Sequence, residues 1–470
     1  MIRIPLLYIL LILGLVSTAQ SPARTLTVAE FVEIIKQYHP IAKQAALLPQ
    51  QALAELRLAQ GGWDPTIYSN YDRKTYDGKN YYSYFENNIK VPVWYGIEIK
   101  GGYDVVYGNN LNPEKILPDD GLGYLGVSVS LLRNMLMDKQ RAALRQAQLF
   151  REASEQQKLI QLNDLLLDAV KAYYEWSYAY NELQVYNEAV RLAEIRYDAT
   201  KKTAQLGDRP AIDTIEALTQ LQGRQLQQAE AKLHFVKSSF ELANYLWLDN
   251  GQPRPFDTLL LPSPLSSEFL QVEILLSQVD ELEVQLRQSH PELLNYRLKL
   301  RQLDIERRLK IENLKPTLNA SYNVLSERFN FKSDAGILFT NNYKFGVNFS
   351  MPLSFTQGRA ELKLTRLKIE YARYELDNKT QQLVNKLKSY YNELVILQQQ
   401  TRIYQSSLEG FQRLFDGETI RFQNGESSLF LVNARENRYL ESQVKLRELQ
   451  AKFYKTDALL KWTLGNLATR

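Results

Sequence analysis

Two stretches of the chain alternate apolar and polar residues without a break. Leu318, Ala320, Tyr322 and Val324 are interleaved with Thr317, Asn319, Ser321 and Asn323, and Tyr343, Phe345, Val347, Phe349 and Met351 with Lys344, Gly346, Asn348 and Ser350. Period two sustained over about nine residues predicts β-strands with one apolar and one polar face, long enough to cross a bilayer. A water-soluble sheet packed on one side alternates in the same way. The polar segment between the two strands, Glu327 to Asn341, is expected at the outer surface. Upstream, Val127, Val129 and Leu131 alternate with Ser128 and Ser130, and between Phe85 and Tyr107 the odd-numbered Phe85, Ile89, Val91, Val93, Tyr95, Ile97, Ile99, Tyr103, Val105 and Tyr107 are apolar against Glu86, Asn88, Lys90, Glu98, Lys100 and Asp104. That stretch is too long for one strand, so it predicts a turn near Pro92 to Gly96 and a surplus hairpin. After Pro65 the pattern weakens, because Tyr68 and Tyr71 fall out of phase. Tyr76, Tyr81, Tyr82, Tyr84 and Tyr124 crowd the region as in an aromatic girdle at a membrane interface, although aromatic residues favour strands anywhere.

From Lys139 to Leu206 there is neither glycine nor proline; at about 1.5 Å per residue a helix of that length extends about 100 Å. Adding 218 to each number carries Arg141-Ala142, Tyr173, Glu175 and Gly207-Asp208 onto Arg359-Ala360, Tyr391, Glu393 and Gly425-Glu426. Adding 251 carries His39-Pro40, Pro65-Thr66 and Tyr71 onto His290-Pro291, Pro316-Thr317 and Tyr322. The chain is therefore one unit written twice. Each copy runs short helix, His-Pro, helix, Pro-Thr, strands and long helices, with Pro65 and Pro316 as strand entries. The change of offset from 251 to 218 leaves about 33 more residues in the first copy, which the surplus hairpin accounts for. Helices are predicted from Leu26 to Tyr38, from Ile41 to about Gln60, where Gly61-Gly62 stops the second, and from near Pro210 to about Leu248. Asp249 to Ser267, with Pro253, Pro255, Pro262 and Pro264, cannot be regular helix and joins the copies.

Met1-Ile2-Arg3, the apolar run Ile4 to Val16 and the small residues Ser17-Thr18-Ala19 read as a signal peptide cleaved near Ala19. These signals divide the chain into the signal peptide (1–19), short helices (20–60), strands and outer loops (61–136) and a long helical hairpin (137–248) of the first copy. A linker (249–274) follows, then short helices (275–314), strands (315–354) and a hairpin (355–470) of the second. No later apolar stretch is long enough for a transmembrane helix, so crossing a membrane requires a closed β-barrel. The chain has no cysteine, which excludes disulfides, thiolate metal sites and a lipid-modified amino-terminal cysteine. A formal charge of +4 with 23% charged residues is close to balance, and no nucleic-acid footprint stands out.

The two His-Pro starts, the two Pro-Thr strand entries and the Gly-Asp and Gly-Glu helix turns, in this order, resemble the TolC family of outer-membrane efflux proteins over essentially the whole mature chain. The resemblance implies an α+β membrane protein of the Gram-negative outer membrane, extending into the periplasm. Its fold is a long antiparallel α-helical coiled-coil tunnel plus a transmembrane β-barrel completed by a homotrimer, with an internal two-fold sequence repeat. Four strands from each of three subunits would give twelve; six would give eighteen. The implied partners are outer-membrane lipid, a periplasmic adaptor (membrane fusion) protein and an inner-membrane pump of RND or ABC type. No catalytic chemistry and no cofactor are expected. Physical reasoning points to a trimer too: so few strands cannot enclose a water-filled lumen, and very long helices need lateral neighbours to bury apolar positions such as Leu165, Val170, Tyr173 and Leu183. The rival readings are a trimeric coiled-coil structural or adhesive surface protein and a soluble periplasmic adaptor.

The candidate site residues cluster at the helix turns made by Gly207 and Gly425. Asp208, Asp213, Glu216 and Glu426 are candidates to line a periplasmic entrance and favour cations, as charged rings do in other pores. Carboxylates near helix starts are also stabilised by the macrodipole and backbone N–H groups; for Asp208 and Glu426 that is the preferred reading, and for Asp213 and Glu216 both stand. By the resemblance, the second copy forms the inner, moving helix pair, and it carries Leu431 and Ala434 at the places of Asp213 and Glu216, which argues against a carboxylate gate from that half. Gly410 and Gly417 lie in the last turns of the second long run where the first has no glycine, so a hinge is expected there, with close helix packing at the two glycines as the alternative. His39 and His290 precede prolines at helix starts, where capping explains them without a metal; His234 stands alone on a helix.

Overall fold

The computed structural model describes residues 24–255, 260–265, 278–327 and 339–468. The signal segment 1–19 and most of the loop from Glu327 to Asn341 lie outside them. Six strands follow one another in one antiparallel sheet: β2 (Thr66–Tyr76), β3 (Lys79–Pro92), β4 (Ile97–Tyr107), β5 (Leu122–Ser130), β7 (Thr317–Glu327) and β8 (Tyr343–Ser350). A separate parallel pair joins β1 (Arg24–Leu26) to β6 (Leu260–Pro262). The helices are α1 (Val28–Tyr38), α2 (Pro40–Gln60), α3 (Lys139–Gln205), α4 (Ala211–Ala243), α5 (Gln278–Ser289), α6 (Pro291–Glu312), α7 (Thr356–Gln423) and α8 (Leu429–Thr463). Among the described residues no helix is long and apolar enough to cross a membrane.

The chain forms two compact units, and α3, α7 and α8 contribute to both. One holds the six-stranded sheet, α2, α5, α6, the amino-terminal parts of α3 and α7 and the end of α8. Its helical core packs Leu286 and Leu293 against Leu383, Val384, Leu387 and Leu464. The other holds α1, α4, the β1–β6 pair, the carboxy-terminal parts of α3 and α7, and α8 up to Lys455. There the buried Tyr173 donates its hydroxyl hydrogen to the Leu26 carbonyl at 2.7 Å and lies 3.0 Å from the Ser263 hydroxyl, fixing the small sheet to α3. Leu165, Val170 and Tyr173 are already buried within a single chain, so they do not need neighbouring subunits. The uncovered stripe is Leu226, Leu233 and Phe240 on α4, spaced by seven and exposed.

Local chemistry sets the element ends. Thr27 and Glu30 form a reciprocal capping box at α1, with Glu30 N–H to Thr27 Oγ1 at 3.2 Å and Thr27 N–H to Glu30 Oε2 at 3.1 Å. Asp77 and Gly78, with φ of 51° and 68°, make the two-residue turn between β2 and β3. The turn between β3 and β4 falls at Val93–Gly96, closed by Val93 N–H to Ile97 O at 2.7 Å. α4 stops at Ala243, five residues before the Leu248 expected from the sequence. Gly251, at φ 78°, folds the chain back so that Leu248 N–H reaches Gln252 O at 2.9 Å, and Leu246 is buried in this extended return.

His39 and His290 are helix N-caps. The Nδ1 of His39 accepts from Ile41 N–H and that of His290 from Glu292 N–H, each at 3.2 Å, so neither nitrogen can carry a proton while it caps. Burial, reinforced by the nearby Lys379, lowers the His290 pKa to about 4. Between about 6.5 and about 4 the unfolded chain takes up a proton that the folded chain refuses, so stability present above 6.5 falls as the pH drops through this window. The loss is roughly 3 kcal/mol. Urea unfolding of the wild type and of His290→Asn, which keeps an N-cap acceptor but does not titrate, is expected to show the wild-type midpoint falling more steeply between pH 7 and pH 4.

Candidate functional site

The sheet presents two chemically distinct faces, and cross-strand register extends each over all six strands. Ile67 lies opposite Ile89, Ile89 opposite Gly101, Gly101 opposite Leu125, Leu125 opposite Val324 and Val324 opposite Tyr343. A parallel row joins Val91, Ile99, Val127, Tyr322 and Phe345. This apolar face is exposed: Ile67 is 79% and Phe345 61% accessible, and Phe85, Leu125, Val127, Val347 and Phe349 are also uncovered. Ser69 and Asn87 on this face satisfy each other, Ser69 donating at 2.8 Å, and Arg73 lies opposite Ser83 toward the Asp77–Gly78 turn. Tyr71 sits on this face opposite Phe85 and Tyr68 on the other opposite Asn88, which resolves their apparent phase conflict.

The opposite face is mainly polar. Thr66, Lys90, Lys100, Gly126, Asn323 and Lys344 form one row across the six strands. Glu98 lies 2.7 Å from Lys90 and 3.3 Å from Lys100. Lys115 lies 3.9 Å from Glu86 and over the Tyr84 ring at 4.5 Å. Tyr124 donates to Asn88, and Ser130 to Asn319 at 3.0 Å. Charges of both signs are here paired on a surface that water can wet, while the other face is dominated by apolar side chains.

In the other unit, the two helix turns repeat one backbone motif. Gly207 (φ 84°) and Gly425 (φ 78°) close α3 and α7. Asp208 N–H reaches Thr203 O at 3.1 Å and Glu426 N–H reaches Arg421 O at 2.9 Å, the long hydrogen bond of a Schellman ending that only a left-handed residue permits. Asp208 and Glu426 are exposed and precede the following helices. Pro210 holds the N-cap position of α4 without a side-chain bond, while at α8 the Ser428 hydroxyl accepts from Leu431 N–H at 3.4 Å. Asp213 lies 3.7 Å from Arg209, whose guanidinium stacks 4.0 Å from the Phe422 ring. Glu216 accepts from Asn433 at 3.1 Å. Asp213 and Glu216 therefore have partners within the chain. Gly410 and Gly417 lie inside an unbroken α7, and a methyl at either would meet nothing within 4 Å in the chain.

Sequence reasoning missed the strongest polar cluster of this unit. Glu436 on α8 is buried and gripped by Arg196 of α3 through two bonds of 2.9 Å. Arg224 of α4, also buried, lies 3.6 Å from its Oε2. Asn433 and Gln227 add bonds of 3.1 and 2.8 Å to Arg196 and Arg224, and Asn437 accepts from Arg224 as well. Three helices are thus tied at one carboxylate. The available signal was a charge inside an apolar stripe: Glu436 falls four residues from both Val432 and Leu440, and Arg224 follows Ala217 and Leu221, all buried. His234 on α4 is part-buried between carboxylates of α3, 2.8 Å from Glu182 and 3.1 Å from Glu175. Among the described residues no group of three or more His, Asp or Glu is placed to hold a metal ion.

Residues 282–466 match the family model described as outer membrane efflux protein. No curated protein sequence matches the chain. Among solved structures, the fold is similar to the CmeC outer membrane channel of Campylobacter jejuni, with TM-score 0.64 and 16% identity over 93% of this chain and 85% of that one. It is also similar to the outer membrane protein VceC of Vibrio cholerae, at 0.65 and 14% over 93% and 96%. The open state of the MtrE outer membrane channel of Neisseria gonorrhoeae gives 0.66 and 14% over 94% and 89%.

Proposed function

We propose that this chain, whose residues 282–466 match the outer membrane efflux protein model, is the passive exit duct of a tripartite export system in the outer membrane. Three subunits share one barrel in the outer membrane, and their long helices form the periplasmic conduit. A periplasmic adaptor and an inner-membrane pump, of RND or ABC type, deliver substrate to it and supply the energy.

The observation that carries this reading is the exposed apolar face of the sheet. In a water-soluble sheet that face would be packed; here the polar face is the better covered of the two, and Ile67, Phe345 and Phe349 stand free. Lipid is the solvent that suits such a belt, and the paired charges opposite suit a water-filled lumen. Six strands cannot enclose that lumen alone, and the heptad-spaced Leu226, Leu233 and Phe240 supply a helix surface for a neighbouring subunit. A stalk or adhesin with the same helices would not need the two-faced sheet. At the helix turns, exposed Leu206, Ile212, Ile215 and Phe430 beside Asp208 and Glu426 offer the adaptor an apolar surface with acidic neighbours. The free carboxylates of Asp208 and Glu426, not the partnered Asp213 and Glu216, set the ion preference of the entrance, and Gly410 and Gly417 let α7 bend when it opens.

Recordings in planar bilayers test this directly. The purified protein is expected to form cation-preferring channels, and the preference to fall in Asp208→Ala with Glu426→Ala but to persist in Asp213→Ala with Glu216→Ala. Absence of conductance from a properly inserted protein would refute the duct. Gly410→Ala with Gly417→Ala should impair pump-dependent export while leaving the amount of trimer unchanged; unaltered export would remove the hinge.

A further inference from the structure

We propose that each subunit places all six strands in the shared barrel, so that it closes with eighteen strands rather than twelve, β8 of one subunit pairing antiparallel with β2 of the next. This rests on the exit-duct reading and specifies its widest part.

Twelve strands would require two strands of the first copy to leave the barrel: the surplus pair β3–β4, which would break the ladders of β3 with β2 and of β4 with β5, or the edge hairpin β2–β3. The register argues against that on both faces. Ile67 and Ile89 of the hairpin continue the apolar row that runs through Leu125 and Val324 to Tyr343, and Thr66 and Lys90 continue the polar row through Lys100 and Asn323 to Lys344. A hairpin folded away from lipid would leave Ile67, Tyr71, Phe85 and Ile89 facing water and would break the ladder in which ten residues of β3, Ser83 to Pro92, pair with β4. The lengths fit as well: β2 to β5 have 11, 14, 11 and 9 residues, the span of a tilted membrane strand.

The two edges then specify the partner. Among the described residues β2 and β8 each pair on one side only, and every residue of β2 is exposed. A free edge of eleven residues is a template for another strand. Because the number of strands is even and the sheet is a simple meander, β8 of one copy runs antiparallel to β2 of a second copy without any new connection. Repeating that head-to-tail contact closes a ring, so the occupant of each edge is another copy of this chain. Barrel diameter rises roughly in proportion to strand number, so the lumen is about 1.5-fold wider than a twelve-stranded one. Strand β3 of the hairpin also lines it, in triplicate, with Glu86 and Lys90, beside Glu98 and Lys100 of β4.

The chain has no cysteine, so introduced pairs report cleanly. Val347→Cys on β8 is combined with Ile67→Cys, Ser69→Cys or Tyr71→Cys on β2, or with Val105→Cys on β4, and treated in outer membranes with a short thiol cross-linker. Covalent trimers are expected from at least one β2 combination and not from β4. Cross-linking through Val105 alone would mean a twelve-stranded barrel and overturn the proposal while leaving the duct intact; no oligomer in any arm, the unmodified protein included, would overturn the duct itself. Should the variants fail to insert, electron cryo-microscopy of the wild-type trimer counts the strands, eighteen supporting the proposal and twelve refuting it.

Discussion

Glu436→Ala is expected to destabilise the helical unit by about 3–5 kcal/mol, the cost of stranding buried charge after one partner of an ion network is removed. The carboxylate holds Arg196 and Arg224 together; without it both guanidiniums remain in a site where burial already depresses Arg224 below the usual arginine range. Thermal unfolding followed by circular dichroism measures the loss. Replacing the whole network, Arg196→Met with Arg224→Met and Glu436→Leu, should cost much less than the single change, because no unpaired charge is left. If Glu436→Ala unfolds like the wild type, the network does not hold the three helices.

The second large effect concerns two adjacent residues of β5. Val127 lies on the apolar face in the row with Ile99 and Tyr322, whereas Ser128 lies on the polar face opposite Glu98. Arginine on a lipid-facing strand position near the membrane midplane costs about 2–4 kcal/mol per site, and a trimer takes that penalty in every subunit. Val127→Arg is therefore expected to remove assembled trimer from the outer membrane. Ser128→Arg should assemble normally, its guanidinium beside Glu98, and shift the channel's preference toward anions. Immunoblots of outer-membrane fractions without heat denaturation decide the first point and bilayer recordings the second. Equal tolerance of both changes would mean that neither face meets lipid.

Much of this architecture was legible in the sequence because its elements are long and obey single periods. Strict alternation defined β7 and β8, the absence of glycine and proline from Lys139 to Leu206 defined α3, and the switch of repeat offset located the surplus hairpin. What escaped depends on contacts between residues far apart. Glu436 and Arg224 look like ordinary surface charges unless one asks what occupies a buried stripe, and Arg209 over Phe422 joins turns more than two hundred residues apart. In the sequence Asp213 and Glu216 are better candidates to line an entrance than Asp208 and Glu426, yet they are the pair held by Arg209 and Asn433, because a carboxylate's partner is set by packing, not by spacing. Strand β2 read poorly because Ser69 and Asn87 satisfy each other on the apolar face, and the early end of α4 follows from the return at Gly251. The Asp77-Gly78 turn was a local signal that could have marked β2 and β3 as a hairpin.

The most direct test of the account is the mass of the protein extracted from outer membranes, measured by analytical ultracentrifugation with the detergent contribution subtracted. Three chains in one complex that leaves the membrane only with detergent is the predicted result. A single chain that remains in solution without detergent would contradict it.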